Sequence, residues 1–153
     1  MKLDKAERSI LRTLQSAGRL SNVELAQLIG MSESPCLRRV RQLESSGFIK
    51  GYAAVVDQRK LGLEVTAFVQ VTTHNQSEFD LQLFIDSVQA EENIMECYAM
   101  SGSHDYLMKV VARSMDHFSD ISMNRILKFP GVKNIESSFN LLEVKNSRVL
   151  PVL

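Results

Sequence analysis

The first residues with clear chemical potential are three arginines, Arg38, Arg39 and Arg41, in a stretch with no further acidic residue until Glu44. A guanidinium binds phosphate and can read the edge of guanine, and hydroxyl and amide side chains can also hydrogen-bond to bases. The simpler interpretation is a solvated charged face, but such faces normally mix both signs of charge. We therefore expect this stretch to contact a nucleic acid.

The element that must position these arginines is an amphipathic helix, because about 100° per residue separates the apolar side chains from the polar ones. Ser32 is placed to cap the helix, and Pro35 is tolerated in the first turn, where amides lack a helical partner. One side carries Cys36, Leu37, Val40 and Leu43; the opposite side carries Ser34, Arg38, Arg41 and Gln42, with Arg39 on the flank.

Two shorter helices are predicted before the basic one. Apolar residues recur at helical spacing from Leu3 to Ala17, and a second helix opens with the capping-box pair Ser21 and Glu24 and closes at Gly30. Two helices joined by a tight glycine-containing turn, the second of them basic, are typical of a helix-turn-helix. The candidate DNA contacts are Ser21, Asn22, Ser32, Ser34, Pro35, Arg38, Arg39, Arg41 and Gln42.

The charge is unevenly distributed along a chain whose net charge is zero, since residues 1–63 carry +5 and residues 64–153 carry −5. This asymmetry predicts a basic module that binds a polyanion, joined to an acidic one. Residues 48–57 have strand composition around a central glycine, which predicts a small hairpin wing or a linker strand. The predicted domains are residues 1–57, a linker at 58–63, and residues 64–153.

The second half combines strand and helix periods in the order βαββαβ. This order is typical of a ferredoxin-like domain, in which helices cover one face of an antiparallel four-stranded sheet. The uncovered face predicts self-association into a homodimer. The predicted strands are 65–72, 94–100, 106–112 and 132–144, and the predicted helices are 81–88 and 115–129.

The turn from Ser101 to Asp105, between the two middle strands, has groups complementary to an α-amino acid. Gly102 permits a close backbone approach, the serines offer hydroxyls and amides to a carboxylate, and Asp105 can accept hydrogen bonds from an ammonium. Serine, glycine and aspartate are also the usual residues of an ordinary hairpin turn, which is the simpler interpretation.

An enzyme is not expected, and neither is a resident metal or cofactor. His74, His104 and His117 lack metal-site spacing, and Cys36 and Cys97 fall in different predicted domains. Two cysteines cannot form a disulfide scaffold, no apolar run approaches the roughly 18 residues of a membrane span, and the N-terminus lacks a secretory pattern. These features predict a cytoplasmic protein without a membrane partner.

The order and spacing of several short motifs resemble the Lrp/AsnC (leucine-responsive/asparagine-responsive, feast/famine) transcription regulators. They include residues 18–26, 32–40, 102–107, 130–132 and 137–139. The resemblance implies an α+β chain with an N-terminal winged helix-turn-helix and a C-terminal βαββαβ ligand-sensing domain. It also implies dimers that assemble further, for example into tetramers or octamers, and an amino-acid effector at subunit interfaces.

The same resemblance implies which residues form the effector site. The loop would contribute Met100, Ser101, Gly102, Ser103, His104, Asp105 and Tyr106, and the partner chain would contribute residues near Ser137, Ser138 and Phe139. Two other functions remain open. One is a metal- or redox-responsive DNA-binding regulator using Cys36, Cys97 or a histidine. The other is a regulatory or oligomerisation module whose basic head contacts an acidic protein; a steep salt dependence of duplex DNA binding separates this last class.

Overall fold

A computed structural model describes residues 3–74 and 78–153, which form two compact units. The first unit runs to Val55 and also includes Val144–Leu153, and the second is Val56–Glu143. This grouping differs from the predicted boundaries, which placed residues 144–153 with the second half. In the part of the chain that the structure describes, no helix is long and apolar enough to span a membrane.

Three helices form the first unit: α1 (Lys5–Ser16), α2 (Asn22–Ile29) and α3 (Glu33–Ser45). The capping box predicted at Ser21 and Glu24 is confirmed at the start of α2. The chain leaves α2 through Gly30, whose φ of 67° lies in the left-handed region that glycine tolerates. The helices enclose a small apolar core of Ile10, Leu25, Ala26, Cys36 and Leu43.

The segment after α3 does not form the predicted wing or linker strand. Between Ser46 and Glu64 the only regular element is a 3₁₀ turn, Arg59–Leu61. Strand-forming side chains do not supply a partner strand, and among the described residues no strand of the sheet pairs with this segment. It is instead tied to α3, since the Tyr52 hydroxyl donates to Glu44 Oε1 at 3.0 Å.

The C-terminal segment joins the first unit by hydrogen bonds to α1. Gln15 pairs with the backbone of Leu150 in both directions, accepting from its N–H at 2.7 Å and donating to its carbonyl at 3.1 Å. Arg12 Nη2 donates to the carbonyl of Val152 at 2.9 Å. These bonds give residues 144–153 partners in the first unit, a grouping that no local periodicity indicated.

The second unit has the predicted βαββαβ order, with α4 as Glu78–Ala90 and the strands β1 (Val65–Thr73), β2 (Ile94–Ala99), β3 (Tyr106–Ala112) and β4 (Val132–Phe139). All strand pairs are antiparallel, in the sheet order β2-β3-β1-β4. The last helix begins as α5 (Met115–Ser119) and continues through a π-helical turn, Asp120–Arg125, and a 3₁₀ turn, Ile126–Lys128. β4 ends at Phe139, five residues before the predicted end of that strand.

Alternation along β1 separates the two faces of the sheet. Ala67, Val69 and Val71 are fully buried in the core beneath the helices. Thr66, Phe68 and Gln70 therefore point to the opposite face, which no helix in the described residues of the second unit covers. This uncovered face is formed by these three residues with Tyr98, Leu107 and the ion pair of Lys109 with Glu96. On it, Phe68 is 40% exposed and Tyr98 is 53% exposed.

Candidate functional site

Helix α3 presents the basic surface that the sequence predicts. Arg38 and Arg41 are exposed one turn apart, and neither pairs with another residue within 3–74 or 78–153. Ser34 and Pro35 are exposed in the first turn and Gln42 in the last. The buried positions of α3 are Cys36 and Leu43, so the helix is anchored by its apolar side while the cationic side stays open.

Arg39 differs from its two neighbours. Its Nη1 forms an ion pair with Asp4 Oδ2 and lies 3.8 Å from Glu7 Oε1, both on the first turn of α1. The side chain is 28% exposed. Arg39 was expected among the DNA contacts, but the structure turns its guanidinium toward two carboxylates of its own domain. Arg39 lies at the boundary between the apolar and polar faces of α3, so the sequence of α3 alone does not predict that it pairs with α1.

Two further residues that were predicted to contact DNA, Ser21 and Asn22, form hydrogen bonds within the first unit. The Ser21 hydroxyl accepts from the Glu24 N–H and donates to its carboxylate, and that carboxylate's pKa is lowered chiefly by the Ser21 backbone N–H. Asn22 Nδ2 donates to the carbonyl of Glu33 at 2.9 Å, which fixes the start of α2 to the start of α3. Ser32 occupies the N-cap position of α3 without a side-chain cap bond.

The loop between β2 and β3 is closed by backbone hydrogen bonds. The N–H of Met100 donates to the carbonyl of Asp105 at 2.8 Å, and the N–H of Asp105 donates to the carbonyl of Val71 at 2.9 Å. Gly102 has a φ of 135°, which a side chain would strain even though open space surrounds the position. The loop is therefore held at its base on the neighbouring strand β1.

Asp105 fixes this loop with its side chain. Its Oδ2 accepts from the Thr73 N–H at 2.7 Å and from the Thr73 hydroxyl at 2.8 Å. The Thr73 N–H is the main cause that lowers the pKa of Asp105, followed by the Thr73 hydroxyl. The sequence interpretation made Asp105 a free acceptor for an ammonium group. The structure differs, because that carboxylate is already engaged across the sheet.

A cavity of about 200 Å³ lies under the loop. Its lining contains the loop residues Met100, Ser101, Gly102, Ser103 and His104, together with Gln70, Tyr106 and Leu107. Gln70 was not among the predicted site residues. Strand alternation puts Gln70 on the uncovered face, but no local signal indicates that the β2–β3 loop closes over it.

His104 connects the cavity to β4. Its Nδ1 lies 3.0 Å from the Ser103 hydroxyl, and its Nε2 lies 3.6 Å from Glu136 Oε1. The expected partner-chain residues Ser137, Ser138 and Phe139 do not line this cavity. They are exposed on β4, where Ser137 is paired with Val69 and the ring of Phe139 stacks edge-on against Phe118 at 5.0 Å.

A larger cavity of about 370 Å³ lies between α4 and β2. Its walls are mostly apolar and include Phe84, Val88 and Cys97. It lacks the serine and glycine backbone that could orient a carboxylate, so the smaller loop cavity is better suited to an amino acid.

The metal- or redox-sensing alternative gains no support. Within the described ranges, 3–74 and 78–153, no three potential ligands cluster around a common point. Burial raises the pKa of both the Cys36 and Cys97 thiols, which disfavours the reactive thiolate form.

A three-helix unit with an open cationic helix, joined to a ferredoxin-like unit with a polar loop cavity, defines a DNA-binding regulator with a ligand-binding domain. The sequence model described as winged helix-turn-helix DNA-binding matches residues 3–50. The model described as Lrp/AsnC ligand binding domain matches residues 66–150. The chain belongs to the Lrp/AsnC family of transcription regulators.

Similar proteins are regulators of transcription rather than enzymes. The chain is 38% identical over 150 residues to the leucine-responsive regulatory protein of Klebsiella pneumoniae, covering 98% of this chain and 92% of that protein. It is 31% identical to the transcriptional regulator AzlB of Bacillus subtilis, covering 98% and 96%. A transcriptional regulator of Neisseria meningitidis, solved as a complex with L-methionine, matches with a TM-score of 0.94 and 37% identity, covering 98% and 97%. The predicted fold class and general function are confirmed by these matches, although residues 48–57 contain no strand in the structure.

Proposed function

We propose that the effector of this regulator is an amino acid bound in the loop cavity, and that its binding changes the affinity for DNA. The observation that carries this proposal is the cavity of about 200 Å³ between Gln70 and the loop residues 100–104. The complex of the Neisseria meningitidis relative with L-methionine supports the same ligand class.

The cavity offers both halves of zwitterion recognition. The Ser101 and Ser103 hydroxyls and the backbone amides around Gly102 can donate to a carboxylate. The Gln70 side-chain oxygen can accept from an ammonium, and Glu136 adds negative charge beside His104. Asp105 contributes indirectly, because its bonds to Thr73 hold the loop in place.

Thermal unfolding in the presence of L-methionine, L-leucine and the other standard amino acids tests this proposal, because a ligand that binds the native state raises its melting temperature. At least one amino acid should stabilise the parent protein and shift its DNA titration. Gln70→Ala should weaken that response, whereas Thr72→Ala, on the same face of β1 but outside the cavity, should retain it. Equal responses in the two variants would reject the cavity as the site.

We also propose that two copies associate through the uncovered face of the sheet and that dimers assemble further. This face carries the partly exposed aromatic rings of Phe68 and Tyr98 on either side of the Lys109–Glu96 ion pair, and association of two copies would remove those rings from water. Gln70 and Leu107 lie on the same face and also line the loop cavity. A ligand there would therefore border the interface, which gives it a route to influence assembly.

Sedimentation of the full chain tests this interface. Phe68→Asp should shift the protein toward monomer, because it replaces an aromatic ring with a charge that two associating copies would have to desolvate. Leu83→Asp, at a comparably exposed leucine on α4, is the matched control and should leave the parental assembly intact. Assembly that withstands Phe68→Asp would place the dimer contact elsewhere.

A further inference from the structure

The capping box of α1 leaves one oxygen free on each of its two carboxylates. Asp4 Oδ1 accepts from the Glu7 N–H at 2.8 Å, and Glu7 Oε2 accepts from the Asp4 N–H at 2.9 Å. The other two oxygens, Asp4 Oδ2 and Glu7 Oε1, are those that face Arg39 Nη1. The start of α1 is thus an acidic cradle for a guanidinium that belongs to α3.

The burial of one of these two carboxylates makes a nearby cation necessary. Glu7 is only 6% exposed, and a buried carboxylate without a cation nearby is strongly destabilising. Arg39 supplies that cation, while Arg38 beside it remains open to solvent. A DNA phosphate that approached the Arg39 guanidinium would lie beside two carboxylates of the same domain, and their negative charge opposes that contact.

We propose that Arg39 is a positioning residue of α3: its pairs with Asp4 and Glu7 fix the angle of the helix on α1, and it makes no contact with DNA. The proposal rests on α3 being the helix that reads DNA. Hydrogen bonds to base edges require donors that are held within a fraction of an ångström. If the orientation of α3 on α1 varies, these sequence-specific contacts weaken first, while the general attraction to phosphate is retained.

The salt dependence of DNA binding separates positioning from phosphate contact, because each phosphate contact that is lost reduces the slope of log affinity against log salt by about one. We would use a duplex that the parent protein enriches from a random-sequence library, and a mixed-sequence duplex as reference. Arg39→Gln should weaken binding to the enriched duplex about tenfold with the parental slope. Arg38→Gln, the matched control, removes a guanidinium open to DNA; it should weaken binding in either case, and it should also reduce the slope if the lost contact is to phosphate. A reduced slope in Arg39→Gln would overturn the proposal.

A second variant keeps the test informative if Arg39→Gln folds poorly. Asp4→Asn retains a side-chain oxygen for the helix cap but loses the charge that holds Arg39. If Arg39 positions α3, this variant binds the enriched duplex more weakly and loses discrimination against the mixed-sequence duplex. If Arg39 binds phosphate, freeing it and removing a negative charge makes both duplexes bind more tightly, and the proposal fails.

The controls also separate this proposal from the function of α3 itself. If Arg38→Gln changes neither affinity nor slope, then α3 is not the DNA-reading helix and that assignment fails. If Arg38→Gln behaves as expected while Asp4→Asn leaves both affinities at parental values, only the positioning role of Arg39 is refuted.

Discussion

A charged side chain can serve an external partner only where the fold leaves it without an internal one. Arg38, Arg39 and Arg41 share one helix and one chemistry, yet only the first and last are open to solvent and unpaired within residues 3–74 and 78–153. The difference originates in α1, where Asp4 and Glu7 face Arg39. Assigning function to a residue therefore requires knowing what the neighbouring helix presents to it.

Replacing either open arginine should weaken sequence-specific DNA binding. We expect Arg38→Ala and Arg41→Ala each to cost about 1–3 kcal/mol on a selected duplex, because each removes a base or phosphate contact. Folding should survive, since both side chains are exposed. DNA titrations check this, with Arg113→Ala, an exposed arginine of the second unit, as the matched control. Parental affinity in both α3 variants would contradict the assignment.

Asp105 can act in two ways, by fixing the β2–β3 loop through Thr73 or by binding an ammonium group directly, and its variants distinguish them. Because its pKa is lowered in the folded protein, its stabilisation is present above about pH 4 and is lost as the pH falls through the folded value. Asp105→Ala should lower the melting temperature at neutral pH by a few degrees. Asp105→Asn keeps an acceptor for Thr73 and should regain most of that loss while removing the acid-dependent part.

The effector response completes that test. A loop-fixing residue predicts that Asp105→Asn binds the effector almost as tightly as the parent. A direct partner for an ammonium predicts a loss of tenfold or more, because a neutral amide cannot replace a charge-assisted hydrogen bond. Calorimetry at neutral pH with the amino acid that stabilises the parent protein distinguishes the two.

At the scale of helices and strands, periodicity and capping residues predicted the features that depend on residues close in sequence. The Ser21–Glu24 box, the alternation of β1 and the bounds of β3 are local properties, and the structure has them as expected. Residues 48–57 and 140–144 have strand composition but form no strand, although the Asn140 N–H still donates to the Thr66 carbonyl of β1, so propensity overestimated both. The β2–β3 loop that closes over Gln70 and the carboxylates that pair with Arg39 are both distant in sequence from these residues. Local patterns in a single sequence do not reveal such contacts.

The C-terminal segment gives a prediction at this scale. Its backbone pairs with Gln15 and Arg12, so Gln15→Ala should destabilise α1 by about 1 kcal/mol through the loss of two hydrogen bonds. Amide hydrogen exchange in α1 measures this directly. Gln27→Ala, an exposed glutamine on α2, is the control. Unchanged protection of α1 in Gln15→Ala would show that the segment does not stabilise the first unit.

At the scale of the whole molecule, a basic reading unit and an acidic sensing unit divide the work. Residues 1–63 carry +5 and attract DNA, whereas residues 64–153 carry −5 and contain the sheet face through which we propose that two copies associate. If association is two-fold, it presents two copies of α3, and the preferred DNA sites should be pseudo-palindromic with half-sites about one helical turn apart or a multiple of it.

A pair of fragments tests that division, because the sensing unit is proposed to supply pairing and the C-terminal segment to supply stability. Residues 1–60 alone lack both, whereas residues 1–60 joined by a flexible linker to residues 144–153 regain only the bonds to Gln15 and Arg12. The joined fragment should melt at a higher temperature than the short one. Both fragments should remain monomeric. They should bind a duplex with two half-sites far more weakly than the full chain, because a single DNA-binding unit lacks the high effective concentration that a linked second unit provides. Parental affinity from a monomeric joined fragment would show that a single head suffices and that pairing through the sheet contributes nothing to DNA binding.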